Sequence, residues 1–275
     1  MTIDHEAFRH RQREYIYLSI ARFAYLNRLM EGYYFEFGSH TGRTMRMAWN
    51  YTKDLFAWTY VAFDSFEGLP EIPEIDQQPI WYPGKLATSE TDFRSIVVRS
   101  GMPPERLVTV KGFYDQSLIP ELAARFLPKK AALIYVDCDL YSSTVPVLRF
   151  CKAFLQPGTV IVFDDWFCFY GDPDRGERRA WAEFCQANPD LRFVNFVGTN
   201  EAQAFICLGE RKALPCAAFA AEDAKQIGTD AVAAALLHGM TGLALLVEQA
   251  FTTSCIAGLR KGHRSRQGTN NRHCC

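Results

Sequence analysis

Four aspartates stand in two pairs, each directly after a short apolar run, and this grouping favours a divalent metal site. They are Asp137, Asp139, Asp164 and Asp165. Continuous apolar runs at 131–136 and 159–163 are typical of strands buried on both faces of a parallel sheet, where ligands bind at the strands' carboxyl ends. Close carboxylates raise one another's pKa values, so the group needs a cation or a shared proton. All-oxygen ligation favours Mg, Mn or Ca over Zn.

Each aspartate alone has a simpler explanation, because Asp is a favoured N-cap residue of helices. Asp139 in particular could cap a helix that begins near Ser142, with Pro146 in its first turn. It is much less expected that all four aspartates are helix N-caps.

A second candidate site lies in a glycine-containing loop near the N-terminus. A predicted strand at 33–37 leads into Gly38-Ser39-His40-Thr41-Gly42, and a helix is predicted over 43–56. Two glycines permit a tight turn and close approach of the backbone to a ligand, and the N-terminus of the helix would face that ligand. The loop is therefore a candidate cofactor site.

The next predicted strand, residues 59–63, ends in Asp64. In nucleotide-binding α/β units, an acidic residue at this strand end accepts hydrogen bonds from ribose hydroxyls. The order Glu36, Gly38, Gly42 departs from the dinucleotide pattern G-x-G-x-x-G. It resembles instead the first motif of class I methyltransferases that use S-adenosylmethionine.

Three further motifs follow one another along the chain: Phe63-Asp64-Ser65-Phe66-Glu67-Gly68-Leu69-Pro70, Val136-Asp137-Cys138-Asp139-Leu140-Tyr141 and Phe163-Asp164-Asp165-Trp166. Together they resemble the macrocin-type O-methyltransferase family, which methylates sugar hydroxyls on antibiotics and related glycosides. The resemblance covers roughly residues 30–210. It implies an α/β, Rossmann-like class I methyltransferase fold, with a seven-stranded, mostly parallel sheet and helices on both faces.

The resemblance also implies roles for individual residues. Asp137, Asp164 and Asp165 match the metal ligands, and Asp139 matches the general base. The implied S-adenosylmethionine-binding residues are Glu36, Gly38, Ser39, Thr41, Gly42, Asp64, Ser65 and Asp115. A bound cation can lower the pKa of an aliphatic hydroxyl, and a general base that removes its proton is typically worth about 10² to 10⁴ in rate.

Two of the cofactor positions keep open alternatives. Asp115 follows a predicted strand at 106–110 and could accept the adenine amino group, or it could cap a helix ahead of Ser117. Glu36 could be a strand-end carboxylate that binds nearby backbone amides.

A long segment between Leu69 and Phe93 is rich in proline, acidic and aromatic residues and has no clear periodicity. A loop of this length is usually functional, and we predict a lid over the acceptor. The aromatics at 167, 169 and 170 could form the opposite wall, although aromatic residues are more often core. The charged run 175–179 is most simply a solvated helix face, with binding of an anionic acceptor group as the alternative.

The prediction is therefore a Mg-dependent O-methyltransferase, with Mn as a substitute, acting on a hydroxyl of a sugar or similar small polyhydroxylated acceptor. A metal-dependent glycosyltransferase built on Asp137-x-Asp139 is one alternative and predicts binding of uridine diphosphate. It leaves the glycine loop and Asp64 unexplained. A non-catalytic cofactor-binding scaffold is the other, and intact metal ligands with a candidate base argue against it.

Composition limits the remaining function classes. The 275 residues carry a net charge of −1, which gives no general attraction to nucleic acid or acidic membranes. With 48% hydrophobic and 14% aromatic residues the chain is globular. Nine cysteines without a C-x-x-C pair indicate reduced thiols. A polar, acidic N-terminus lacks the order of a signal peptide and predicts a cytoplasmic protein.

Three regions are predicted: a helical N-terminal segment at 1–30, the methyltransferase domain at 31–210 and a helical, partly disordered extension at 211–275. Within the extension, residues 231–247 are nearly continuously apolar, at the lower limit for a membrane span, and a packing or dimer helix is favoured. This leaves a homo-oligomer open.

Overall fold

The computed structural model describes residues 4–27 and 31–210. Its strands are β1 (Tyr33–Phe37), β2 (Thr59–Asp64), β3 (Leu107–Lys111), β4 (Ala131–Val136), β5 (Val160–Phe163), β6 (Leu191–Gly198) and β7 (Gln203–Glu210). Its helices are α1 (His5–Asn27), α2 (Arg43–Thr52), α3 (Glu90–Arg99), α4 (Tyr114–Ser117), α5 (Pro120–Phe126), α6 (Tyr141–Cys151) and α7 (Gly176–Ala187).

The strands form one seven-stranded sheet in the order β3-β2-β1-β4-β5-β7-β6. β1 to β5 run parallel, and β7 pairs antiparallel with both β5 and β6. This sheet confirms the predicted Rossmann-like class I methyltransferase fold. β1 and β4 are neighbours, so the carboxyl ends that carry the glycine loop and Asp137 lie side by side.

Helices cover both faces of the sheet because successive strand residues point to opposite sides. Tyr34 and Tyr135 pack with residues of α1, α2 and α3 on one face. Phe35 and Ile134 pack with residues of α5, α6 and α7 on the other. Strands buried on both faces explain why the sequence runs are continuously apolar rather than alternating.

The five strands predicted between residues 33 and 163 are confirmed to within one residue at each end, whereas the helix ends differ. α1 lies inside the predicted helical segment 1–30, and α2 ends at Thr52 rather than at 56. Pro146 lies inside α6 and not in its first turn, because α6 begins at Tyr141. The expectations for 211–275, including the apolar helix at 231–247, fall outside the described residues.

Five cysteines lie in the described part of the chain, and all five are free thiols. None of the helices described in 4–27 and 31–210 has the length and apolar character that crossing a bilayer requires.

Candidate active site

A cavity of about 1380 Å³ opens at the carboxyl ends of the parallel strands. It is lined by the predicted site residues except Glu36, Gly42 and Asp164. The fold therefore brings the glycine loop, Asp64, Asp115 and the aspartates after β4 and β5 into one space, as expected at the carboxyl edge of a parallel sheet.

The glycine loop needs its glycines for contacts with the protein itself. Gly38 and Gly42 have φ values of 85° and 68°, which disfavour residues with a side chain. A Cβ at Gly38 would overlap the Asp137 carbonyl, and one at Gly42 would lie 2.7 Å from Val97 Cγ2. The two glycines thus let the loop pack against the β4 end and α3, which leaves Ser39 and Thr41 lining the cavity.

Asp64 joins the loops that follow β1 and β2. Its Oδ2 accepts hydrogen bonds from the backbone amides of Ser39 (2.7 Å) and His40 (3.2 Å), and its Oδ1 accepts one from the amide of Phe66 (2.7 Å). A carboxylate offers about four acceptor positions, so Oδ1 keeps one for a ligand hydroxyl. Asp64 is therefore held rigidly at the cavity wall.

Glu36 lies behind the loop instead of at the cavity surface. It is fully buried, and the Tyr34 hydroxyl donates to its Oε2, while Tyr34 and Tyr17 share a hydrogen bond of 2.8 Å. Burial raises the pKa of Glu36 to about 8, and the nearby hydroxyls of Tyr34, Ser39 and Thr44 offset part of that rise. The Oε1 atom of Glu36 is buried without a hydrogen-bond partner in the described part of the chain. The open alternative, a carboxylate bound to backbone amides, does not describe Glu36, whose hydrogen bond comes from a tyrosine hydroxyl.

This raised pKa makes the stability of the fold depend on pH. Glu36 is protonated in the folded state up to pH about 8, whereas it ionises near 4.5 when unfolded, so its contribution to stability falls as pH rises between these values. We expect Glu36→Gln to remove this loss, by up to about 4 kcal/mol between pH 5 and 8. Thermal unfolding of the wild type and the variant at both pH values measures it. The exposed Glu121→Gln serves as the control, and equal pH dependence of wild type and Glu36→Gln would contradict the prediction.

Ser65 and Asp115 line the cavity from the segments that follow β2 and β3. Ser65 Oγ donates to the Gly68 carbonyl at 2.7 Å and accepts from the Glu67 amide at 3.1 Å, which fixes the turn after β2. Asp115 is exposed in the first turn of α4, whose N-cap is Phe113. The helix-cap alternative for Asp115 is thus wrong, and its carboxylate is open to the cavity.

The predicted metal ligands do come together. One carboxylate oxygen each of Asp137, Asp164 and Asp165 lie within 4.8 Å of one another. Burial and the neighbouring carboxylates raise the pKa values of Asp137 and Asp165 well above the ordinary range. Asp165 Oδ2 is buried and has no hydrogen-bond partner in the described part of the chain. These two carboxylates therefore suit a hard divalent cation.

Asp164 differs from its two neighbours because an arginine already pairs with it. Arg13 of α1 donates to Asp164 through both Nε (3.0 Å to Oδ1) and Nη2, and the Tyr135 hydroxyl also donates to Oδ1. Burial alone would raise the pKa of Asp164, but the Arg13 charge and these hydrogen bonds hold it below its usual value. Arg13 Nη2 is also 3.7 Å from Asp137 Oδ2.

Asp139 sits at the cavity wall in a strained backbone conformation. Its φ of 61° is uncommon for a residue other than glycine, and such strain often occurs at functional sites. Burial, then Asp137 and Asp164, raise its pKa to about 7, while Trp81 and Lys85 lower it. The helix-cap explanation is wrong here as well, because Leu140 is the N-cap of α6.

Asp76, rather than Asp139, accepts hydrogen bonds from the first backbone amides of α6. This fully buried carboxylate accepts hydrogen bonds from the amides of Tyr141 (2.8 Å) and Ser142 (3.0 Å). Asp76 belongs to the long segment that the sequence marks as a lid, so a residue more than sixty positions earlier in the chain caps the helix after Asp139.

The covering segment, residues 69–89, packs onto the site through one aromatic pair. Trp81 and Phe169 have ring centroids 5.0 Å apart, and Arg175 lies over the Phe169 ring at 4.5 Å. Arg175 also donates to the carbonyls of Ile75 and Gln77, at 3.1 and 3.2 Å. The segment therefore covers the cavity, and Arg175 serves packing rather than an anionic acceptor.

The predicted opposite wall forms only in part. Phe169 is buried in the cluster with Trp81, whereas Tyr170 is fully exposed and Phe167 is 44% exposed. The residue from this stretch that does line the cavity is Cys168, whose Sγ donates to Asp165 Oδ1 at 3.3 Å.

Three buried charged residues near the site have no motif in the sequence. They are Arg13, Asp76 and Glu177. Glu177 Oε2 accepts the Asp165 amide at 3.0 Å, and burial raises its pKa well above its usual value. The only signal that could have found Arg13 is its position among the buried apolar residues of α1, next to Ile16 and Tyr17.

Comparisons with known proteins agree with this geometry. A family model described as a methyltransferase domain matches residues 35–166. No curated protein sequence matches the chain. The O-methyltransferase NovP superposes with a TM-score of 0.55 at 18% identity, over 71% of this chain and 79% of that one.

CalS11, a calicheamicin methyltransferase, superposes with a TM-score of 0.59 at 21% identity, over 74% of this chain and 80% of that one. An apo structure of CalS11, described as a TDP-rhamnose 3'-O-methyltransferase, has a TM-score of 0.50 at 17% identity and covers 74% and 81% of the two chains. The chain thus carries a methyltransferase domain on the fold of these enzymes, which confirms the prediction of a methyltransferase.

Proposed function

We propose that this protein transfers a methyl group from S-adenosylmethionine to a hydroxyl of a sugar or similar small polyhydroxylated acceptor, with Mg, or Mn in its place, as the metal. We place it in the macrocin-type O-methyltransferase family. One observation carries the proposal: the glycine loop with Asp64 and the carboxylates of Asp137, Asp139 and Asp165 line the same cavity. NovP and CalS11, which share the fold, are named as methyltransferases, and CalS11 as a TDP-rhamnose 3'-O-methyltransferase.

The cofactor half of the cavity offers groups suited to S-adenosylmethionine. The loop from Gly38 to Gly42 would hold the methionine end, and the open acceptor position on Asp64 Oδ1 would take a ribose hydroxyl. Asp115, exposed in the first turn of α4, would accept the adenine amino group. Glu36 would act from behind the loop, where its Oε1 is buried without a hydrogen-bond partner in the described part of the chain.

The acceptor half carries the proton chemistry. Asp137 and Asp165 would hold the divalent cation, which lowers the pKa of an acceptor hydroxyl when bound. Asp139 would remove the hydroxyl proton, because its carboxylate faces the same space two residues beyond Asp137. Trp81 and the covering segment would exclude water from the reacting atoms, and the rigid walls would hold the acceptor in line with the methyl group.

Calorimetric binding of S-adenosylhomocysteine tests the cofactor half. We expect wild-type protein to bind it, and Asp64→Ala to weaken binding by about 100-fold, because the ribose contact and the clamp on the Ser39 and His40 amides are both lost. The exposed Asp54→Ala is the matched control and should bind like the wild type. Failure of the wild type to bind, with binding of uridine diphosphate in the presence of Mn, would contradict the proposal and favour the glycosyltransferase.

Turnover tests the acceptor half. Incubation with S-adenosylmethionine labelled in its methyl group, a panel of nucleotide sugars and glycosides, and Mg should place label on an acceptor oxygen. Cofactor binding without label transfer to any hydroxylated acceptor would favour the non-catalytic scaffold instead.

A further inference from the structure

The guanidinium of Arg13 lies among the carboxylates of the candidate metal site. Arg13 is 8% exposed and bonds Asp164 through two nitrogens, with Nε 3.0 Å from Oδ1. The Tyr135 hydroxyl donates to the same carboxylate. Asp164 therefore has its charge matched and its oxygens in use, while Asp165 Oδ2 is buried without a partner in the described part of the chain.

The position of Arg13 is fixed by the packing of α1. The next residues on its buried face, Ile16, Tyr17 and Ile20, are fully buried against the sheet. One turn before it, Arg9 Nε donates to Glu201 Oε2 at 3.1 Å and ties the helix to the segment between β6 and β7. The packing of α1 therefore keeps the Arg13 side chain next to Asp164.

Arg13 changes the net charge of the candidate metal site. Asp137, Asp164 and Asp165 bring three negative charges when ionised, and Arg13 brings one positive charge. Arg9, whose Nη2 is 3.9 Å from Asp164 Oδ2, adds no net charge, because it pairs with its own carboxylate partner between β6 and β7. A single divalent cation would then make the group neutral. Without Arg13 the same ion would leave one negative charge in excess, buried at the edge of the core, which is unfavourable.

We propose that Arg13 is a built-in counter-ion of the metal site, which holds Asp164 out of the ligand set and leaves Asp137 and Asp165 as the protein ligands. This inference rests on the metal dependence in the proposed function and specifies its ligands. A site with two carboxylates and positions open to water and substrate oxygens is the usual environment of Mg in enzymes. Arg13 is thus a positioning residue that sets the affinity of the site.

Calorimetric titration with Mn²⁺ on the full chain tests this arrangement through a double-mutant cycle. Arg13→Gln removes a positive charge near the ion and should tighten Mn²⁺ binding by on the order of 10- to 100-fold. Asp164→Asn leaves Arg13 uncompensated and should weaken binding by a similar factor. The double variant restores the charge balance and should bind within about threefold of the wild type.

The double variant decides between the two roles of Asp164. If Asp164 were a direct ligand, the double variant would lack that ligand even with its charge balanced and would bind Mn²⁺ well over threefold more weakly than the wild type, and the inference would be wrong. Unchanged or weaker affinity in Arg13→Gln would also overturn it. Absence of Mn²⁺ binding to all four proteins would instead contradict the metal dependence of the proposed function, while leaving the cofactor test unaffected.

Two further variants control for a general effect of charge and for a failure of Arg13→Gln to fold. Arg11→Gln removes the same charge from an exposed position on α1 and should leave Mn²⁺ affinity within about twofold of the wild type, because exposed charges are screened. If Arg13→Gln does not fold, Arg13→Lys keeps the charge but loses the two-nitrogen contact. It should bind Mn²⁺ within about threefold of the wild type, and affinity outside that range would contradict a counter-ion role.

Discussion

Asp139→Asn is expected to lower kcat by about 10² to 10⁴, while S-adenosylhomocysteine binds within about threefold of the wild type and Mn²⁺ still binds, because Asp137 and Asp165 remain. Asparagine has the same shape and, like aspartate, tolerates the left-handed φ of 61° found here, so the backbone should keep its conformation. What the variant lacks is a carboxylate that can take a proton from the acceptor hydroxyl. Steady-state kinetics with labelled S-adenosylmethionine, alongside calorimetry, separates the two effects.

The matched control is Asp54→Asn, which makes the same change at an exposed position remote from the cavity lining. A kcat within threefold of the wild type in Asp139→Asn would show that another group, or water, accepts the proton. Loss of Mn²⁺ binding would show instead that Asp139 is a metal ligand, which would change the roles assigned to the four aspartates.

The fold could be predicted because its strands have a clear physical signature. Strands at the centre of a parallel sheet are buried on both faces, so β4 and β5 appear as unbroken apolar runs with acidic residues at their carboxyl ends. Helix ends are set by finer effects. α2 stops at Thr52, whose hydroxyl donates to the Ala48 carbonyl and shares a hydrogen bond with Tyr60, and no pattern in the sequence announces that contact.

The sequence predicts the site residues that directly follow strands, but it does not predict the site residues that lie on helices. The cluster of Asp137, Asp164 and Asp165 follows from the pairing of β4 with β5. Arg13 reaches the same cluster from α1, 151 residues before Asp164 in the chain, and only the packing of that helix brings them together. Glu177 falls in a charged run that resembles a solvated helix face, yet it is 1% exposed.

Asp76 is the clearest case of a contact that sequence order hides, and it links the covering segment to the chemistry. Its carboxylate caps α6, which begins two residues after Asp139. The covering segment reaches the same region through Trp81, which lowers the pKa of Asp139 and packs on Phe169. Detaching the segment at Asp76 should therefore disturb both the cover over the acceptor and the helix that follows the candidate base.

We expect Asp76→Ala to destabilise the protein by about 2 to 4 kcal/mol, because the variant loses a helix cap and leaves two amides without their partner. For a domain of this size that is a fall in Tm of about 5 to 15 °C. We also expect the KM for the acceptor to rise at least about tenfold, while S-adenosylhomocysteine affinity changes little, because the covering segment contributes mainly to the acceptor half.

Two further variants in the same turn serve as comparisons for Asp76→Ala. Glu74→Ala alters an exposed carboxylate two residues away and should leave both Tm and KM near the wild-type values, while Asp76→Asn keeps one acceptor oxygen and should fall between the wild type and Asp76→Ala. Measured at a temperature where every variant is folded, a raised KM in Asp76→Ala would then report the position of the covering segment rather than unfolding. A lower Tm with an unchanged KM would mean that Asp76 only caps α6, and that Trp81 and Arg175 hold the cover in place without it.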